Sequence, residues 1–165
     1  MELSFGMATD EDAPEISLLR AAVAVDLTRR HGHGHWSATA TEKSVLRDVN
    51  ASRVLLAWQA GRLVGTLRLT SKKPWAIDPA YFSPSSRALY LTDMAVLPGL
   101  QRRGIGRRCL QEARTIAAGW PADAIRLDAY DGPAGAGGFY AKCGFQERGR
   151  VTYRRTPLVY YEFVL

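Results

Sequence analysis

Apolar positions change period several times along this chain. Ile16, Leu19, Val23 and Leu27 recur at helical spacing and predict an amphipathic helix. Asp12 with Glu15, and Pro14 within the first turn, mark its expected start. A short strand over residues 2–8 precedes it. The glycines of Arg29–Trp36 (RRHGHGHW) break the pattern, and Thr39 with Glu42 reads as the cap of a second helix carrying Val45, Leu46 and Val49. The period then shortens. Arg53–Gln59 and Arg62–Thr70 read as a hairpin around Ala60-Gly61. Ser71–Arg87, rich in Pro and Ser, reads as the longest loop. Leu89–Val96 and Ala124–Tyr130 read as strands on either side of a helix over Gly104–Ala118, whose apolar face carries Ile105, Cys109, Ala113 and Ile116. A short helix is expected over residues 133–143, although Gly135, Gly137 and Gly138 each cost about 1 kcal/mol against Ala. Phe145–Tyr153 and Leu158–Leu165 complete the chain as strands. The order β-α-α-β-β-β-α-β-α-β-β implies an α/β fold, a mixed sheet with helices packed on it.

Composition narrows this little. A length of 165 residues favours one domain spanning residues 1–165. The content, 47% hydrophobic and 23% charged, is that of a soluble globular protein and excludes a disordered tail or a disulfide scaffold. No apolar run approaches the roughly 20 residues of a membrane span, and Met1-Glu2-Leu3-Ser4 does not open a signal peptide. Two cysteines, Cys109 and Cys143, fit a reducing cytoplasm. The net charge of +6 suits nucleic acid or a polyanionic small ligand equally. Its location decides, because the largest local excess of arginine lies between Arg102 and Arg114.

That excess surrounds the most informative segment, Val96-Leu-Pro-Gly-Leu-Gln101-Arg-Arg-Gly104-Ile-Gly106-Arg-Arg. A strand ends, a tight loop follows, and a helix begins. Gly104 and Gly106 let the backbone approach a ligand with no Cβ in the way. Amides at the helix start point outward and the helix dipole favours an anion. Arg102, Arg103, Arg107 and Arg108 add fixed positive charge. The segment is built to cradle a pyrophosphate. It is not a P-loop, since Arg107-Arg108 stands where Lys-Ser/Thr is required. It is a poor dinucleotide fingerprint, since Cys109 replaces the third glycine.

Gln101-x-x-Gly104-x-Gly106, after a strand ending Met94-Ala95-Val96-x-Pro98, instead resembles the acetyl-CoA signature of the GCN5-related N-acetyltransferases, the GNAT superfamily. Phe139-Tyr140-Ala-Lys-Cys-Gly144-Phe145 resembles that family's tyrosine-containing helix and the strand after it. The order of elements agrees over nearly the whole chain. The resemblance implies a single-domain, mostly antiparallel twisted sheet flanked by helices and splayed at its central strands. It implies that the exposed backbone at Met94, Ala95 and Val96 receives the pantetheine arm of acetyl-CoA, with the amide at Met94 polarising the thioester carbonyl. Gln101, Arg102, Arg103, Gly104, Ile105, Gly106 and Arg107 would hold the pyrophosphate, and Tyr140 would donate a proton to the departing thiolate. It implies no metal and no covalent enzyme intermediate. The chain departs from the family at Pro133, where an Asn is common, and in the three glycines of the tyrosine helix.

Other residues carry weaker signals. His31, His33 and His35 alternate with glycine but lack the spacing of a structural zinc site. In the family this connection often borders the acceptor pocket, which makes His35 and Trp36 candidates for acceptor binding. Asp93 and Glu162 are the acidic strand residues that could reach the acceptor, as base or relay. Tyr81, Phe82, Tyr153 and Tyr160 are candidate pocket walls or core aromatics. Cys109 belongs to the apolar helix face, and Cys143 has no partnered histidine in view. The expected partners are acetyl-CoA and an amine, most simply a small molecule. The alternatives are a protein amine, a charged tRNA, or a regulatory module that binds acyl-CoA without catalysis. No membrane partner is expected, and nucleic acid only in the form of tRNA. The apolar last strand could complete the sheet or meet a second copy in a homodimer.

Overall fold

The computed structural model describes residues 2–165; Met1, part of the N-terminal stretch read above, lies outside them. The elements are β1 (Ser4–Met7), α1 (Ala13–His31), α2 (Glu42–Ala51), β2 (Arg53–Gln59), β3 (Arg62–Thr70), β4 (Ala88–Val96), α3 (Ile105–Gly119), β5 (Ala124–Tyr130), α4 (Gly137–Lys142), β6 (Gln146–Tyr153) and β7 (Thr156–Val164). This is the order expected from the periodicity. The strands form one seven-stranded sheet in the order β1-β2-β3-β4-β5-β7-β6. It is mixed: β4 and β5 run parallel, while β1–β2, β2–β3, β5–β7 and β6–β7 are antiparallel.

The chain gathers into two compact units. The first runs to Leu69 and resumes over Thr92–Ala113. There α1 and α2 bury Ile16, Leu19 and Val45 against Val54 and Leu56 of β2, Leu63 of β3 and Ala95 of β4. Full burial of a side chain such as Ile16 or Val45 contributes about 1.5–3 kcal/mol. Both faces of β2 are covered, so Val54–Ala57 is a continuous buried run rather than an alternation. The opposite face meets α3 at Gly65, paired with Ala57. A Cβ added at Gly65 would lie 3.2 Å from Cys109 Sγ and 3.3 Å from Ile105 Cγ2, so the helix rests almost directly on the strand backbone. Ala60 and Gly61 both take positive φ, +50° and +74°, as a two-residue hairpin turn requires.

The second unit comprises Thr70–Leu91 and Arg114–Leu165. Its β7 lies between β5 and β6 and separates two packing layers. Tyr160 packs with Ile77, Phe82 and Tyr90 on one side. Tyr161 and Phe163 meet the α4 region on the other, through Tyr140 and Phe145. The long loop after β3 is latched to β7. The Tyr160 hydroxyl donates to Ala76 O and accepts from Asp78 N at 3.1 Å. Tyr81 meets Tyr160 edge-on at 5.4 Å and Phe82 lies tilted against it at 5.1 Å, so these three expected pocket walls are one aromatic cluster.

Three local expectations are corrected. Asp12 does not cap α1 through its side chain; its carboxylate accepts from Thr9 N at 2.8 Å and closes a turn one step earlier. The cap of α2 is Thr41, whose hydroxyl accepts from Ser44 N at 3.1 Å, and not Thr39. The tyrosine helix starts at Gly137 rather than residue 133, because Gly132 and Gly135 form a turn against β5. A Cβ at Gly135 would fall 1.8 Å from Tyr130 O, so the backbone there is committed to the strand.

Candidate functional site

In the first unit β4 is interrupted in mid-strand. Asp93 has φ +54°, the left-handed region that a non-glycine residue enters at a cost of about 1–2 kcal/mol. One such residue turns the next peptide out of the strand's regular direction. That next residue is Met94, followed by Ala95 and Val96. Ala95 is buried in the core, so only its backbone could face a ligand.

The loop after Val96 is tightly held. Leu97 N donates to Val64 O at 2.9 Å and Leu100 N to Leu97 O at 3.0 Å. Gln101 Nε2 donates to Val96 O at 3.1 Å, so its side chain ties the loop to the end of β4. Gly99, Arg102 and Gly104 take positive φ of +87°, +64° and +84°. Left-handed residues between right-handed ones turn successive amides inward and make a concave anion site. Arg108 N donates to Gly104 O at 3.1 Å, which opens the α3 ladder, and the amides before it point out of the helix start. A Cβ at Gly104 would meet nothing within 4 Å, so there is open space in front of this backbone. Arg102, Arg103 and Arg107 are exposed around it, while Ile105 is anchored in the core. Turned amides, helix start, open space and guanidinium charge together fit a pyrophosphate.

Tyr140 belongs to the second unit. It is buried, with its ring 5.4 Å from Phe139, 5.8 Å from Phe145 and 6.1 Å from Tyr161. Burial, reinforced by Asp128 and Cys143, pushes its phenol well above the ordinary tyrosine value. It therefore keeps its proton throughout the neutral range.

Glu162 is not available as an acceptor-side base. It is fully buried, with Oε2 3.0 Å from Arg126 Nε, and Oε1 2.9 Å from Arg148 Nε and 3.1 Å from Ser83 N. Burial alone would raise its pKa, but the hydrogen bonds from Ser83 and Arg126, with the Arg126 charge, outweigh that and lower it. Arg126 also donates to Ser83 O at 2.7 Å, so the pair fastens the β3–β4 loop to the sheet. Glu162→Ala is expected to destabilise the fold by about 3–5 kcal/mol, because it strands a buried guanidinium. Urea unfolding would measure it. Because the folded pKa is lowered, this stabilisation is present above pH 4.5, the ordinary value. It is lost as pH falls through the folded value, so the gap between variant and wild type should narrow in acid.

The histidine segment is a compact knot. Trp36 Nε1 donates to Gly32 O at 2.9 Å, and its ring meets His35 edge-on at 5.1 Å and His31 at 6.5 Å. A Cβ at Gly34 would strike that indole at 2.5 Å. Among the described residues no group of three or more His, Cys, Asp or Glu is placed to hold a metal ion. Burial pushes the Cys109 thiol up to about 12, which leaves it an inert core residue. Asp93 lies next to Arg20 and Arg68, two residues that the one-dimensional pattern did not single out.

Residues 19–145 match the acetyltransferase (GNAT) family. A search of curated proteins finds no match. The fold is similar to that of an N-acetyltransferase from Staphylococcus aureus Mu50, with 16% identity over 99% of each chain and a TM-score of 0.72. It is similar to yncA of Salmonella typhimurium, solved with its cofactor acetyl-CoA, at 16% identity over 100% of this chain and 95% of that one, TM-score 0.74. It is also similar to ribosomal-protein-alanine N-acetyltransferase from Brucella melitensis, at 20% identity over 98% and 99%, TM-score 0.72. No described helix is long and apolar enough to cross a membrane.

Proposed function

The chain belongs to the GNAT acetyltransferase family, and from that premise we propose that it transfers an acetyl group from acetyl-CoA to the amine of a small molecule, in the cytoplasm. All 165 residues are assigned to one such domain. The observation that carries the reading is the interrupted β4 running into a loop whose left-handed Arg102 and Gly104 open the amides of α3 toward free space.

Acetyl-CoA supplies an activated acyl group: the acceptor nitrogen forms a C–N bond as the C–S bond breaks, the amine loses a proton and the sulfur gains one. The residues divide this work. Gln101–Arg107 hold the pyrophosphate, with Gln101 supporting the loop and Ile105 anchoring it from the core. Met94, Ala95 and Val96 offer backbone to the pantetheine arm. The Met94 amide stabilises charge on the carbonyl oxygen, a contribution of roughly 3 kcal/mol for a fixed donor. Tyr140 holds its proton for the sulfur, and its raised pKa suits a strong hydrogen-bond donor to a thiolate whose ordinary pKa is about 8.5. His35, Trp36 and Asp93 are assigned to the acceptor side. An alkylamine is neutral in only about 1 molecule in 2,500 at pH 7, so the acceptor must be deprotonated at a cost of about 4–5 kcal/mol.

The test is thiol release from acetyl-CoA with amino acids, polyamines, aminoglycosides, arylamines and short peptides, beside calorimetric binding of acetyl-CoA. Release with one amine class establishes the reaction and the acceptor. Tight binding with no release would overturn the small-molecule reading in favour of a protein amine, an aminoacyl-tRNA or an acyl-CoA sensor. Steep salt dependence would single out tRNA.

A further inference from the structure

Four charged side chains from four elements meet at the interruption of β4. Asp93 Oδ2 lies 3.9 Å from Arg20 Nη2 and 3.9 Å from Arg68 Nη1, and accepts from Thr92 Oγ1 at 3.3 Å. Both guanidiniums also reach Asp48 on α2, Arg20 at 3.2 Å and Arg68 at 3.7 Å. Arg68 Nε is fixed by Ser52 Oγ at 2.7 Å. The Arg20 side chain is nine-tenths buried, and its Nε and Nη2 have no hydrogen-bond partner. Burying unpaired guanidinium donors is costly. A helix that only needed to pack on the sheet would carry an apolar side chain at that position. Nη2, which lacks a hydrogen bond, is the atom that faces Asp93 across 3.9 Å.

We propose that Arg20 and Arg68, braced by Asp48, form an electrostatic lock on the left-handed conformation of Asp93. The lock thereby fixes the direction of the Met94 peptide. Its catalytic consequence rests on the role given to Met94 above; the lock itself does not. A non-glycine residue stays left-handed inside a strand only where its surroundings hold it there. Here no short hydrogen bond from either arginine does so, and two positive charges act on one carboxylate oxygen. Arg20 is a positioning residue, contributed by α1 to a strand it does not adjoin in sequence.

The test exploits glycine, which takes positive φ without restraint. If the lock exists to hold φ, Asp93→Gly makes it redundant. The unliganded protein is compared by NMR at the Met94 amide in wild type, Arg20→Met, Asp93→Gly and the double variant. Turnover and calorimetric acetyl-CoA affinity are read in the same four proteins. Arg20→Met in the wild-type background should shift the Met94 amide and lower kcat about 10-fold or more, since small misplacements of reacting groups cost that much. Acetyl-CoA affinity should fall less than kcat, because the proposed phosphate loop is left intact and only the Met94 contact to the pantetheine arm is disturbed. In the Asp93→Gly background the same substitution should leave the Met94 amide where the glycine variant alone places it; the amide is the deciding readout there, because Asp93 is also assigned to the acceptor side. An unmoved amide in Arg20→Met, or equal effects of the substitution in both backgrounds, overturns the lock. Arg68→Met, at a more exposed side chain, carries the same expectation should Arg20→Met not fold. If wild type releases no thiol with any of the small amines, the small-molecule reading fails, while the amide comparison still decides the lock.

Discussion

Gly104→Glu is expected to abolish measurable binding of acetyl-CoA. The backbone at residue 104 is left-handed, φ +84°, and a Cβ there meets nothing within 4 Å. The variant therefore pays about 1–2 kcal/mol for its conformation but clashes with nothing, and it should fold. Its carboxylate enters the space in front of the turned amides, among Arg102, Arg103 and Arg107. It becomes a tethered anion in a cradle built for an anion, and it repels the pyrophosphate it displaces. An affinity loss of at least about 100-fold, near 3 kcal/mol, should be read by calorimetry. Gly104→Asn is the control. It tolerates the left-handed region and carries no charge, so it should lose affinity through bulk alone and clearly less than the Glu variant. Unchanged binding by the Glu variant would sink the cradle assignment.

Tyr140→Phe should lower turnover by about 100-fold, the lower range for loss of a positioned proton donor, while acetyl-CoA affinity is largely spared. The substitution keeps the ring that Phe139, Phe145 and Tyr161 surround, so packing is little disturbed. Burial already holds the phenol above its ordinary pKa. Tyr140 should then contribute no inflection between pH 6 and 9, and the deficit should be uniform across that range. Any limb of the wild-type profile there belongs to another group, the acceptor amine among them. Full activity of the variant from pH 6 to 9 would remove Tyr140 as the acid.

The features legible in the sequence are those made by neighbours in the chain. The strand Ala124–Tyr130 was delimited to the residue, because its burial is nearly continuous and polar turns flank it. The strand–loop–helix passage from β4 into α3 is legible because strand end, glycines and helix start follow one another directly in the chain. Helix starts were harder. Asp12 and Thr39 have capping chemistry, but Asp12 serves Thr9 and the hydroxyl of Thr41 stands closer to the first turn of α2. Gly135 reads as part of a weak helix and instead forms a tight turn with Gly132, which only the position of Tyr130 O explains, while Gly137 and Gly138 do open the helix. The insertion of β7 between β5 and β6 leaves no mark on alternation. Glu162 reads as any acidic residue in a strand until Arg126 is found opposite it in register. The cluster around Asp93 was illegible for the same reason, since its members are spread from residue 20 to residue 93.

The floor beneath the start of α3 and its proposed phosphate loop is one backbone thick. At Gly65 the strand has no side chain to set between itself and the first turn and a half of α3, and Cys109 and Ile105 fill the gap. Residues 65 and 109 therefore share a single allotment of volume. A chain that acquires a methyl group at 65 must move Cys109 Sγ and Ile105 Cγ2 by a few tenths of an ångström, a shift felt by the helix whose first amides would form the proposed cradle. The proposed binding loop is thus open to perturbation from behind, through the strand that carries Gly65. Engineering that fills small core residues for thermal stability would meet its functional limit first at this glycine.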